Sequence, residues 1–294
     1  MSLQIYQIPT KLNVLRFKRF HWLLMIIICF VVLLNTKVVF ASNRIISLIP
    51  SSTELLFAIG YGDEIIAVSN YCNYPEDKIK NLPRIGDQNL NVEKIISLSP
   101  TILVDTNSIH KRYESIFKKL KLNYVNIDIK THSDVPKVAY WLAEQLGDKS
   151  KANPFVNEWN KEITSLNSNN LSKKIRIYAE IGSNPIVAVG GNNNIDSIIT
   201  FAGGKNVLAN HEDYPLINSE MVLLSNPEII ILIYPDANID SVKNRLGWKK
   251  IKAVQNNYIY AVDQDLFVRP GPRNLQAIRI VNNLINKVIE NESN

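Results

Sequence analysis

None of the common arrangements for bond-making chemistry occurs along the 294 residues: no nucleophile elbow, no phosphate-binding Walker loop, no His-x-x-x-His pair and no paired carboxylates. His110, His132 and His211 are far apart in sequence, and each reads as a surface or capped histidine rather than a metal ligand. Gly190-Gly191 lacks the rest of a dinucleotide fingerprint and reads as a turn that brings backbone close to something. What recurs is aromatic and amide content in loops after apolar runs: Tyr71, Asn73 and Tyr74, then Asn192 to Asn194, then Tyr214, then Phe267. Aromatic faces beside amide donors suit a large, flat, weakly charged ligand better than a phosphate. The competing reading is that Tyr71 and Tyr74 only cover a sheet edge. No catalytic set, metal site or covalent cofactor is expected, which leaves an exported α/β enzyme as the weaker alternative.

The elements that must hold those loops are announced by a stretch written twice. Residues 92–104 carry Glu93, then Pro100, then Ile102-Leu103-Val104; residues 219–231 carry Glu220, then Pro227, then Ile229-Ile230-Ile231. A Glu in the first turn, a Pro past the last turn and an apolar run without polar alternation spell a short helix, a stop and a buried strand. Around the first copy, strands are expected at 44–49, 65–69 and 124–127. Helices are expected at 109–120 and 135–146, and Ser51 with Glu54 fits a capping box. Around the second copy, strands fall at 175–181, 186–189 and 258–262, and helices at 195–201 and 273–289.

Between the two halves, residues 153–166 place Phe155, Trp159, Ile163 and Leu166 on one stripe, followed by polar punctuation from Asn167 to Ser172. The expected fold is two small α/β lobes with central sheets joined by a single long helix. Its divisions are a leader at 1–41, lobes at 42–148 and 171–294, and the linking helix at 149–170.

The formal charge of +6 is concentrated at the start: Lys11, Arg16, Lys18, Arg19 and Lys37 lie in the first 41 residues, which hold no Asp or Glu. Removing those five leaves 28 basic against 27 acidic residues, so the remainder has no footprint for nucleic acid. The basic lead, the apolar run at 22–34 and Val39-Phe40-Ala41 read as a secretory signal cleaved after Ala41, with an uncleaved anchor as the alternative, and place the protein in a periplasm. One cysteine, Cys72, then remains, so no intrachain disulfide forms.

The residues Arg44 to Glu54, Tyr71-Cys72-Asn73-Tyr74-Pro75, Pro83-Arg84-Ile85-Gly86 and Gly203-Gly204-Lys205-Asn206-Val207 resemble the helical-backbone (class III) substrate-binding proteins of ABC importers. Within that family they are most similar to its cobalamin-binding members, over nearly all of residues 44–290. The resemblance implies that Glu93 and Glu220 pair with arginines on the importer's dimeric membrane subunits. It implies that Tyr71 lies against a corrin ring, that Tyr214 takes the place of a family tryptophan, and that Asp265 and Arg269 touch the vitamin's polar periphery. A local salt bridge is the other reading of that pair. The sequence departs from the family at Asp87, where the cobalamin binders carry another tryptophan. Tyr71, Tyr74, Asn192, Tyr214, Asp265, Phe267 and Arg269 are thus the expected ligand-binding residues, and cobalamin the expected cargo. Haem is the alternative, with Arg84 or Arg269 as partners of its propionates and Tyr71 or His211 as iron ligand. A ferric siderophore comes third.

Overall fold

Two sheets grow from the short apolar runs in the computed structural model, which describes residues 42–167 and 173–293. The expected leader and most of the polar stretch after Asn167 lie outside the described residues. The first sheet takes β1 (Ile45–Ser47), β2 (Ile65–Val68), β3 (Ile102–Thr106) and β4 (Tyr124–Ile127), all parallel, in the order β2-β1-β3-β4. The second takes β5 (Ile175–Ser183), β6 (Ile186–Ala188), β7 (Gly204–Asn206), β8 (Ile229–Leu232) and β9 (Ile259–Ala261). Here β5 pairs in parallel with β7 and β8, β8 pairs in parallel with β9, and only β6 is antiparallel. With β6 set aside, the order β7-β5-β8-β9 repeats that of the first sheet. Ile45 opposite Ile102 corresponds to Ile177 opposite Ile229, so the twice-written stretch is one part of a repeated lobe.

Helices cover both faces of each sheet, which is why the strands show no polar alternation. In the first lobe the helices are α1 (Pro50–Ala58), α2 (Glu76–Ile79), α3 (Val92–Ser97), α4 (Glu114–Lys119) and α5 (Val135–Gln145), and α6 (Asn153–Asn167) follows. In the second they are α7 (Asn194–Phe201), α8 (Ser219–Ser225), α9 (Ile239–Lys243), α10 (Lys252–Gln255), α11 (Gln264–Val268) and α12 (Asn274–Ser293). On β8, Ile229 and Ile231 pack with Ile198, Ile278 and Ile285 on one side, while Ile230 and Leu232 pack with Val222 and Trp248 on the other. The α6 stripe buries Val156 and Trp159 in the first core, and Ile163 packs on the cores of both lobes. Leu275 of α12 also reaches the first core, so the lobes share apolar packing as well as chain.

Three local expectations change. Ser51 and Glu54 form no capping box: α1 begins at Pro50 after Ile49, which gives no side-chain cap, and both Ser51 and Glu54 are buried. The helix expected at 109–120 is a 3₁₀ turn (Lys111–Tyr113) leading into α4. Gly203, at φ +94°, does stop α7, but the next residues form the short parallel strand β7.

Candidate functional site

Loops at the strand ends of both lobes enclose a cleft of about 470 Å³, inside the usual span for small-ligand sites. The first lobe supplies Asn107 after β3 and Asp128, Ile129 and Lys130 after β4; the second supplies Asn192, Asn193, Asn194, Asp213, Tyr214, Val268 and Pro270. Amide side chains hold these loops in shape. Asn107 donates to Ile129 O (3.1 Å) and accepts from Ile129 N (2.8 Å), tying the two first-lobe loops together. Asn193 caps α7 by accepting from Asp196 N (3.0 Å), and its Nδ2 donates to Gly190 O (3.1 Å) and Asp213 O (2.9 Å). Asn194 donates to Phe267 O (2.9 Å), which fixes the amide plane and leaves its buried Oδ1 without a partner.

Gly190-Gly191 explains how Tyr214 comes beside Asn192. Gly190 N donates to Asp213 O (2.8 Å) and Gly191 N to His211 O (2.6 Å), and a Cβ on either glycine would overlap backbone of residues 209–213. The close approach read from the sequence is therefore between this turn and the segment that carries Tyr214.

Beside the cleft, on either side of the lining residues Val268 and Pro270, side chains from both lobes form an ionic cluster. Glu54 of α1 accepts from Arg273 Nε (2.9 Å), Arg273 Nη2 (2.7 Å) and Arg269 Nη1 (3.1 Å). Arg269 also donates to Asn73 Oδ1 (2.6 Å) and pairs with Asp265 (2.8 Å), while Asn73 Nδ2 donates to Asp265 (2.9 Å). Two guanidinium groups thus meet two carboxylates, and Arg273 further lies over the Tyr74 ring at 4.5 Å. A second tie joins His132 of the first lobe to α7 of the second, with Nδ1 2.5 Å from Ser197 Oγ and its ring against Phe201. Burial lowers the pKa of His132, which favours the neutral imidazole there.

The loop that carries Tyr71 is braced from beneath. Cys72 is buried, its Sγ lies 3.1 Å from Thr53 Oγ1 and 3.2 Å from Ser69 Oγ, and burial pushes its thiol pKa up. Arg84 donates to Ser69 O (3.0 Å) and Cys72 O (2.6 Å), so it is committed to the loop. Asp87 is anchored through its carbonyl, 2.9 Å from His110 Nε2. Burial would lower the pKa of His110, but bonding to Asp105 and Asp87 reverses this and raises it.

Of the expected ligand residues, the structure brings Asn192 and Tyr214 to the cleft, and Tyr214 is 40% exposed. Tyr71, 53% exposed, and Tyr74 lie on the neighbouring loop. Phe267 requires correction: it is fully buried in the second core, because α11 turns its ring inward and offers the cleft side only a carbonyl bound to Asn194. Asp265 and Arg269 form the salt bridge held out as the other reading, extended across the lobes by Asn73 and Glu54, so their polar atoms are already engaged. Asn194, Glu54 and Arg273 are not among the expected ligand-binding residues: Asn194 stands out in the sequence only as part of the amide run 192–194, and Glu54 only as half of a capping box. Glu93 and Glu220 are exposed, each at the second position of a helix capped by an Asn side chain, and neither pairs with a described residue.

Residues 45–266 match the family described as periplasmic binding protein. The chain belongs to that family. A vitamin B12-binding protein of Vibrio parahaemolyticus is 31% identical over 243 residues, covering 80% of this chain and 86% of the relative. The crystal structure of the periplasmic vitamin B12 binding protein BtuF of Vibrio cholerae superposes with a TM-score of 0.72 at 25% identity, over 84% of this chain and 97% of that one. The periplasmic haem-binding protein HutB of Vibrio cholerae superposes at 0.75 with 20% identity, over 83% and 99%, a likeness of fold alone. Two α/β lobes with parallel sheets and a long helix are the architecture of these relatives, and members of the family bind solutes rather than transform them. This chain is a substrate-binding protein of an ABC importer.

Proposed function

We propose that the protein captures cobalamin or a related corrinoid between its lobes, 42–148 and 171–294, in the periplasm and delivers it to an ABC importer. The observation that carries this reading is how the polar groups around the cleft are committed. Arg84 and Arg269, which a haem propionate would need, are bound to backbone carbonyls and to carboxylates of the protein itself. The cleft lining is instead rich in amides, with Asn107, Asn192, Asn193 and Asn194 beside Tyr214, while Lys130 stands 3.9 Å from the Asp128 carboxylate. The amide arms of a corrinoid donate to and accept from such side chains, whereas a carboxylate only accepts. Tyr71 and Tyr214 supply aromatic faces for the ring. A whole corrinoid exceeds the cleft volume, so this reading requires the mouth to widen on loading.

Glu93 and Glu220 are the groups proposed to meet the two membrane subunits. Exposed ion pairs each contribute only about 0–1 kcal/mol, so their effect is on orientation and encounter rate. Haem is the second reading, favoured by the exposed phenol of Tyr71 as an iron ligand. Titration of the purified chain with cyanocobalamin and with haemin separates the two. Saturable corrinoid binding without a shifted Soret band supports the proposal; a shifted Soret band with no corrinoid affinity overturns it.

A further inference from the structure

Glu93 and Glu220 stand on helices of six and seven residues, too short to hold a direction unaided. In front, each helix is fixed by its Asn cap, Asn91 accepting from Lys94 N (2.9 Å) and Asn218 from Met221 N (3.0 Å). Behind, each runs into a residue of left-handed backbone followed by proline, Ser99 (φ +46°) before Pro100 and Asn226 (φ +41°) before Pro227. In both lobes the carbonyl of that residue is bound by an arginine from the start of the lobe's central strand. Arg44 donates through Nε to Ser99 O (3.0 Å) and through Nη2 to Leu98 O (2.6 Å); Arg176 donates through Nη2 to Asn226 O (2.6 Å).

The surroundings repeat as well. Arg44 N donates to Thr101 Oγ1 (2.9 Å) and Thr101 N returns a bond to Arg44 O (2.9 Å). Arg176 N donates to Glu228 Oε2 (3.0 Å) and Glu228 N returns one to Arg176 O (2.8 Å). Since Ile45 faces Ile102 and Ile177 faces Ile229, the two arginines occupy the same place in the repeated lobe. A guanidinium at a helix C-terminus satisfies carbonyls that the helix leaves open and meets the negative end of its dipole.

We propose that Arg44 and Arg176 are positioning residues for importer docking, each fixing the direction in which its lobe's short helix presents Glu93 or Glu220. This rests on the docking reading of the two glutamates. A helix held at both ends against the first strand of its sheet carries its glutamate as a rigid part of the lobe. With the rear bond gone, the helix pivots on its Asn cap and the carboxylate samples directions that no longer match the importer.

Two measurements on the full chain test it. Hydrogen exchange on the purified Arg44→Gln variant should rise at least about tenfold at the α3 amides and stay unchanged in α8. The Arg176→Gln variant should show the reverse, and unchanged exchange at either helix overturns the proposal. Uptake of labelled cyanocobalamin is then followed in cells of the source organism that lack the chromosomal copy and are complemented with each variant. Glu93→Gln and Arg44→Gln should each lower uptake several-fold at limiting vitamin, with Arg44→Lys intermediate and cyanocobalamin affinity of the purified protein unaltered. The double variant should be no worse than Glu93→Gln alone, whereas Arg44→Gln with Glu220→Gln should multiply. Multiplication within one lobe would overturn the role of the arginine and leave docking intact. Uptake unaffected by either glutamate substitution would overturn the docking reading and this inference with it.

Discussion

Glu54→Gln strikes the ionic cluster between the lobes at its centre. Glu54 is 4% exposed and accepts three bonds from two guanidinium groups of the other lobe, at 2.7, 2.9 and 3.1 Å. Glutamine fills the same space, but it removes the negative charge and turns an amide NH₂ toward an arginine donor. Taking one partner from a buried ion pair costs about 3–5 kcal/mol, because the remaining charge stays desolvated. Here Asp265 still neutralises Arg269, and the arginine side chains keep 12–13% exposure, so the lower end applies, about 3 kcal/mol. For a chain of this size each kcal/mol moves the melting temperature by about 2–4 °C, giving a fall of about 6–12 °C. Calorimetric or circular-dichroism melting of the unliganded protein at neutral pH measures it. A second variant checks the reasoning: Glu54→Leu with Arg269→Met and Arg273→Met removes all three buried charges, and should recover most of the lost stability. A Glu54→Gln loss below about 1 kcal/mol would refute the account, since that is the scale of a solvent-screened surface pair.

Two further outcomes are expected. Tyr214→Ala should weaken cyanocobalamin binding by about tenfold, the upper worth of one aromatic contact, and an unchanged affinity would remove Tyr214 from the site. His132 gives a pH dependence whose sign follows from its lowered pKa. Above about 6.5, where the unfolded chain's imidazole is also neutral, its contribution is fully present. As pH falls below that value the unfolded state binds a proton that the folded state resists, so stability declines until the lower folded pKa is passed. His132→Gln should flatten the melting temperature between pH 6.5 and the acid limb, and a profile identical to that of the unsubstituted protein would exclude this assignment.

Several elements were legible because local chemistry decides them. The run Tyr124 to Ile127 forms β4 at the expected residues, and both copies of the repeated stretch form their helix, stop and strand. Ser51 and Glu54 misled because their spacing mimics a capping box, while the real partners of Glu54 lie more than two hundred residues away. No local pattern records such a pairing. Phe267 looked like loop because α11 is five residues long, below the length at which periodicity shows. The spacing of Asp265 and Arg269 did hold a clue, since a carboxylate four residues before an arginine is a helical pair. The short strand β7 begins on a glycine and has no β-branched run to announce it. The amide run Asn192 to Asn194 is visible in the sequence, but the different duties of its members are not: the Asn194 amide is turned to the Phe267 carbonyl, a partner more than seventy residues away.

Ile163 packed on both cores and Leu275 reaching the first, together with Glu54 buried against two arginines of the other lobe, leave little slack between the halves of the molecule. The widening that the proposed cargo requires therefore falls to the loops at the mouth, not to a swing of one half against the other. On the proposed delivery, those same rims are where an importer would have to pull to empty the carrier.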